Sequence, residues 1–220
     1  TAPDGIDEIP RYAFDHCLSL TKIVIPNHVK EIASYAFDNC ANVNEIIVGD
    51  GITSLFNMRN FKNLKTITIG NGITEIKTNA FLSLTQLSSV TLGENITEIG
   101  NMAFARCSSL TQLTFNKSLQ TIGSNAFRLC SGLTQIELPD SLQSLGTYVF
   151  SNCTSLKTVT ISQGVDKLNG TFRNCTALKD VYFKGTREQW EAIPKSNWDY
   201  GTGEYTIHFI DGTTLNKGDA

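Results

Sequence analysis

Charge is scarce in this sequence: Lys, Arg, Asp and Glu together make up 18% of the 220 residues, where about a quarter is usual. That shortage argues against long helices laced with surface ion pairs. The 18 basic and 21 acidic side chains nearly cancel to a net charge of -3, so no basic footprint exists to track a phosphate backbone, and nucleic acid is not expected as a partner. No apolar run approaches the roughly 18 to 20 residues of a membrane span, and no secretory apolar core segment is present. Insertion of this chain into a membrane is therefore not expected. Closely spaced Cys or His pairs, which a zinc site needs, are missing. His16 beside Cys17 is the one Cys/His adjacency, and sequence neighbours in a coil point in different directions. The Gly-Gly-x-Gly-x-Asp repeat of calcium-binding β-rolls does not occur, and Gly201-Thr202-Gly203 is too short for a phosphate loop. No general base, nucleophile and orienter converge, so the expectation is a protein that is not an enzyme and carries no cofactor.

What the sequence does have is hydroxyls, amides and a period. Hydrophobic residues make up 40%, and Thr (25), Asn (18) and Ser (17) are abundant, so the surface is polar without being charged. Apolar residues recur at Ile9, Ile32, Leu55, Ile76, Ile99, Ile122, Leu145 and Leu168, with steps of 23 residues except one of 21. A second column runs Phe14, Phe37, Met58, Phe81, Phe104, Phe127, Phe150, Phe172. A third runs Cys17, Cys40, Phe61, Leu84, Cys107, Cys130, Cys153, Cys175, and a fourth Leu20, Val43, Leu64, Leu87, Leu110, Leu133, Leu156, Leu178. Two deletions, of two residues in the third repeat and one in the eighth, fall just before the phenylalanine column.

After the fourth column comes a short alternating segment, such as Ile67-Thr68-Ile69, with the period of two of a half-buried strand. Pro-Asn, Gly-Asp, Gly-Asn or Gly-Glu ends it with turn chemistry, and the chain returns through an Ala-Phe segment expected to form one helical turn. A coil of 23 residues cannot close a core alone. It must stack on its neighbours, with strands pairing in parallel about 4.8 Å apart.

The pattern Leu20-x-x-Ile23-x-Ile25 resembles the leucine-rich repeat. The fuller string from Ile122 through Ala126-Phe127, Cys130, Leu133 and Ile136 to Leu138-Pro139 is similar to the BspA-like leucine-rich repeats of bacterial surface proteins. The resemblance covers residues 4 to about 185 in all eight copies. It implies an α/β-type solenoid: a right-handed stack of about eight 23-residue coils, one parallel strand per coil, short helical turns on the other side and a C-terminal cap. The position of the usual buried Asn ladder holds His28, Gly51, Gly72, Asn95, Ser118, Ser141 and Gly164, so small residues making a tight turn are the expected device there.

Residues 1–185 are expected as the solenoid, starting in the middle of a repeat. Thr186-Arg187-Glu188-Gln189 is a capping box opening a short helix that Pro194 stops. Residues 186–212 are expected as the cap of the same domain, and 213–220 as a disordered tail. Trp190, Trp198, Tyr200, Tyr205 and Phe209 are assigned to covering the end of the stack rather than to a sugar platform. All six cysteines share one column with Phe61 and Leu84, so buried, reduced thiols are expected rather than disulfides.

The remaining candidate is the outward strand face: Lys22, Val24, Glu45, Ile47, Thr68, Thr91, Gln112, Thr114, Gln135, Glu137, Thr160 and Tyr182. It is polar and nearly neutral, the surface that solenoids present to partners, although threonine also suits a merely solvated strand. The expected function is non-catalytic binding of a protein or glycan through this face by a monomer. The family resemblance implies an extracellular or cell-surface location and adhesion to host or matrix proteins. The alternative is a structural spacer with no ligand of its own.

Overall fold

The computed structural model describes residues 5–219; Asp4, the first turn position of the repeat, lies outside them. Every coil contributes its alternating segment to one face. Strands Lys22–Ile25, Glu45–Val48, Thr66–Ile69 and Ser89–Thr91 pair in parallel, and Gln135–Glu137, Thr158–Ile161, Asp180–Phe183 and Thr206–His208 continue the stack in a second parallel set. Register follows the repeat: Lys22 lies opposite Glu45, Glu45 opposite Thr66 and Thr66 opposite Ser89. In Thr66–Ile69 the isoleucines are buried and the threonines exposed, the alternation that a sheet with one solvated face requires.

The fold is a parallel-strand solenoid with little helix. Thr206–His208 pairs with Asp180–Phe183 in the same register, so the cap is itself an abbreviated coil and the stack has nine turns rather than eight. The expected helical turns are also corrected. The Ala-Phe segments are successive tight turns, with two left-handed residues four apart in most coils: Asn79 and Ser83, Met102 and Arg106, Asn125 and Leu129, Tyr148 and Asn152. A helix would keep its amides to itself. Here alternate amides go to the next coil instead, as Asn79, Phe81 and Ser83 donate to the carbonyls of Asn101, Ala103 and Ala105 at 2.7–3.0 Å. Stacking wins because each such bond also fixes the register between neighbours.

The corner after the strand combines two devices. A Cβ on Gly72 would stand 2.1 Å from the Asp50 carbonyl oxygen and one on Gly51 2.2 Å from that of Val29, so only glycine lets the coils approach there. One position earlier a polar ladder does form: Asn27 Oδ1 accepts the Asp50 amide at 3.0 Å, Asp50 Oδ1 the Asn71 amide at 2.6 Å, and Asn71 Oδ1 the Glu94 amide at 2.8 Å.

The core is a set of continuous columns. Phe81, Phe104, Phe127, Phe150 and Phe172 are fully buried and stack with centroids 4.8, 5.2, 5.4 and 5.7 Å apart and nearly parallel rings. Trp198 closes this column edge-on against Phe172. All six cysteines are free thiols; five are buried and Cys17, in the first coil, is only half-buried. The five buried thiols each donate to a carbonyl of the preceding coil's phenylalanine turn, from Cys40 to Phe14 (3.0 Å) through Cys175 to Phe150 (3.1 Å). The column wants a compact apolar group, and the thiol adds a weak donor to it.

The capping box is formed: Thr186 Oγ1 accepts the Gln189 amide and Gln189 Oε1 accepts the Thr186 amide at the start of helix Arg187–Ala192. Buried Trp190 and Trp198 cover the last regular coil. The expected tail from 213 is corrected as well. Thr214–Asn216 forms a strand antiparallel to Thr206–His208, because Leu215 buries itself against the core cluster and the pairing covers an otherwise open sheet edge.

Candidate binding face

All twelve residues singled out on the strand face occupy outward positions, exposed or half-buried, between inward residues such as Ile23, Ile46, Ile67 and Val159. The structure divides them. Lys22, Val24, Glu45, Ile47, Thr68 and Thr91 lie on one hydrogen-bonded sheet, where Lys22 and Glu45 form an ion pair at 2.8 Å. Gln135, Glu137, Thr160 and Tyr182 lie on the other. Gln112 and Thr114 fall between the two, on a segment that joins neither ladder: residues 112–115 make no backbone hydrogen bond to either neighbour. Leu113 and Phe115 still point inward and are buried, Phe115 edge-on to Phe127 at 5.7 Å.

At this interruption the face opens into a groove of about 630 Å³. Gln112, Thr114, Gln135, Glu137 and Thr160 line it, joined by Thr158, Lys117, Asp140 and Lys184. Lys184 stands at its rim, 3.0 Å from Glu137 and 3.1 Å from Asp140. Those carboxylates, Glu137 first, hold its ammonium above the ordinary lysine value. The contact joins residues two coils apart, which the repeat alone does not announce. Beyond it, Tyr182 stacks on His208 at 4.6 Å, and His208 Nε2 lies 2.9 Å from Asp180 Oδ1. Among the described residues no group of three or more His, Cys, Asp or Glu is arranged to hold a metal ion, and no helix is long and apolar enough to cross a membrane.

The columns that build this face match a sequence-family model, the BspA type leucine-rich repeat region, in six copies over residues 7–132 and 97–197. The chain belongs to the BspA-type leucine-rich repeat family. No curated protein matches it in sequence. Among solved structures it is similar to a leucine-rich repeat protein of Bacteroides ovatus, with 23% identity and a TM-score of 0.60, over 93% of this chain and 59% of that one. It is also similar to the pneumococcal vaccine antigen PcpA, with 22% identity and a TM-score of 0.55, over 77% of this chain and 46% of that one. The chain thus spans about half of the length of these two solved chains, and at such identities the likeness concerns the fold.

Proposed function

We propose that this chain is a non-catalytic, surface-displayed binding module that takes a protein ligand on its strand face. The observation that carries the reading is the groove at residues 112–115, where the outward residues of two sheets meet beside two lysines and two carboxylates. Opposed charges around a hydroxyl-rich floor suit the mixed polar surface of a folded protein. A glycan site would want an open aromatic face, and the one aromatic ring in the groove wall, Phe115, is buried. The bacterial-surface character of the family supports display outside the cell and adhesion as the role.

The test is surface plasmon resonance of the purified chain against immobilised extracellular-matrix proteins, with a glycan array in parallel. The double substitution Thr114→Arg, Thr160→Arg is expected to weaken a matrix-protein interaction at least about tenfold, equivalent to about 1.4 kcal/mol, without changing the melting temperature. Binding confined to the glycan array, or binding that ignores both substitutions, overturns the protein-ligand reading. Absence of binding to either supports a spacer.

A further inference from the structure

Along most of the stack, each coil's backbone edge is answered by the next coil. Five times, three alternate turn amides donate to the following coil, as those of Met102, Phe104 and Arg106 do to the carbonyls of Ser124, Ala126 and Arg128. Just before the turns, two carbonyls accept: Thr74 and Ile76 receive the amides of Thr97 and Gly100 at 2.8 and 2.7 Å. The second coil carries the same five groups, the carbonyls of Lys30 and Ile32 and the amides of Tyr35, Phe37 and Asn39. Among the described residues none of the five has a hydrogen-bond partner in the third coil.

The two-residue deletion explains the gap. Between Leu55 and Met58 the third coil is too short to run parallel to its neighbour, and it makes a short 3-10 turn at Met58–Asn60 without the left-handed residues found elsewhere. It cuts the corner, and a groove of about 620 Å³ opens above it, walled by the second coil and floored by Ile52 through Asn57. The short two-stranded pairing of Glu8–Ile9 with Glu31–Ile32 stops at the same place.

We propose that this groove binds an extended peptide segment of a partner protein, which lies where a full-length third coil would run and pairs with the edge of the second coil. Unpaired main-chain groups near apolar surface are costly, and an open edge is a template for another chain. Here the template is specific: two acceptors two residues apart, then three donors two residues apart. Elsewhere in this molecule the main chain of a neighbouring coil satisfies that order, and a peptide likewise presents main-chain donors and acceptors at every second residue along one edge. A sugar has no such fixed repeat. The half-exposed ring of Tyr35 and the charges of Lys30 and Asp38 on the same wall supply side-chain selection. This site rests on its own observation and does not require the strand-face groove to bind anything.

The experiment uses the full chain, labelled with ¹⁵N. In the free protein the amides of Tyr35, Phe37 and Asn39 are expected to exchange on the order of a hundredfold faster than those of Asn79, Phe81 and Ser83; equal protection overturns the proposal. A phage-displayed library of linear seven-residue peptides is then panned on the chain and the recovered peptides are synthesised. Their binding is expected to slow exchange at those three amides, to fall at least about tenfold on Ser54→Trp, which fills the groove, and to fall equally when alternate peptide nitrogens are methylated. Ser34→Trp, on the opposite wall, replaces Ser54→Trp if that variant fails to fold, and Thr114→Arg on the strand face is expected to leave the affinity unchanged. Failure to recover any groove-dependent peptide, undiminished binding of the methylated forms, or protection of the three amides by an oligosaccharide instead would each overturn it.

Discussion

Replacing Phe127 by Ala tests whether the phenylalanine column holds the stack together. Phe127 has no solvent exposure and lies between Phe104 at 5.2 Å and Phe150 at 5.4 Å, with Phe115 edge-on at 5.7 Å. Its loss leaves a void that neighbours fixed in register by inter-coil hydrogen bonds cannot fill. Truncations of this kind cost about 3 to 5 kcal/mol. For a chain of this size each kcal/mol moves the melting temperature by roughly 2 to 4 °C, so a fall of about 6 to 20 °C is expected. Thr114→Ala, an exposed change on the strand face, is expected to cost under about 1 kcal/mol. Urea unfolding should be followed by far-ultraviolet circular dichroism, which reports all coils, and by fluorescence of Trp190 and Trp198, which sit in the cap. Continuous phenylalanine and cysteine columns couple the coils to the cap, so both signals are expected to fall together. A loss below about 1.5 kcal/mol for Phe127→Ala, or equal losses for the two variants, would refute the assignment of faces.

The thiols give a second prediction: at pH 8 a thiol reagent should label Cys17 quickly and the other five only after unfolding. Burial pushes Cys107 and Cys175 up to about 12 from 9.0, so each favours the fold fully below pH 9 and loses that contribution as the pH rises from 9 towards 12. Urea titrations at pH 8, 9 and 10 should then show Cys107→Val less sensitive to alkali than the parent, by about 1 kcal/mol between pH 9 and pH 10; identical slopes would mean that the thiol is accessible. Third, removing residues 186–220 uncovers the edge of Asp180–Phe183 and the apolar end under Trp190 and Trp198. Light scattering should show that variant aggregating, and a monomeric product as heat-stable as the parent would deny the segment its covering role.

The period of 23 made the strands, the inward columns and the outward face legible, because each inward column stays apolar at a step of 23 that only two deletions disturb. It could not say where the turn amides go. An Ala-Phe segment looks the same whether its amides bond within the coil or across to the next, and only the stacked backbone decides. The half-exposure of Cys17 was hidden for a similar reason: the column is common to all coils, but the first has no described coil against one of its sides. Lys184 escaped notice because it meets Glu137 and Asp140 across two coils. Leu215, a lone apolar residue in a polar end, was the one signal that the tail would pair. The deletion in the third repeat was visible as a step of 21, but its meaning as a groove needed the corner it cuts.

The two interruptions also have a mechanical meaning. Among the described residues, inter-coil backbone hydrogen bonds are missing on the strand side at residues 112–115 and on the turn side of the third coil, where a side-chain bond from Asn60 Nδ2 to Asp38 Oδ1 remains. A beam that loses cross-links along one side at one level, and along another side at a different level, acquires two joints with different easy directions of bending. Load applied to the ends of this stack therefore concentrates at the fifth coil on the strand side and at the third coil on the turn side. The stretch from Thr74 to Ala105, cross-linked by strand pairing, turns and phenylalanine column together, moves between them as a stiff block.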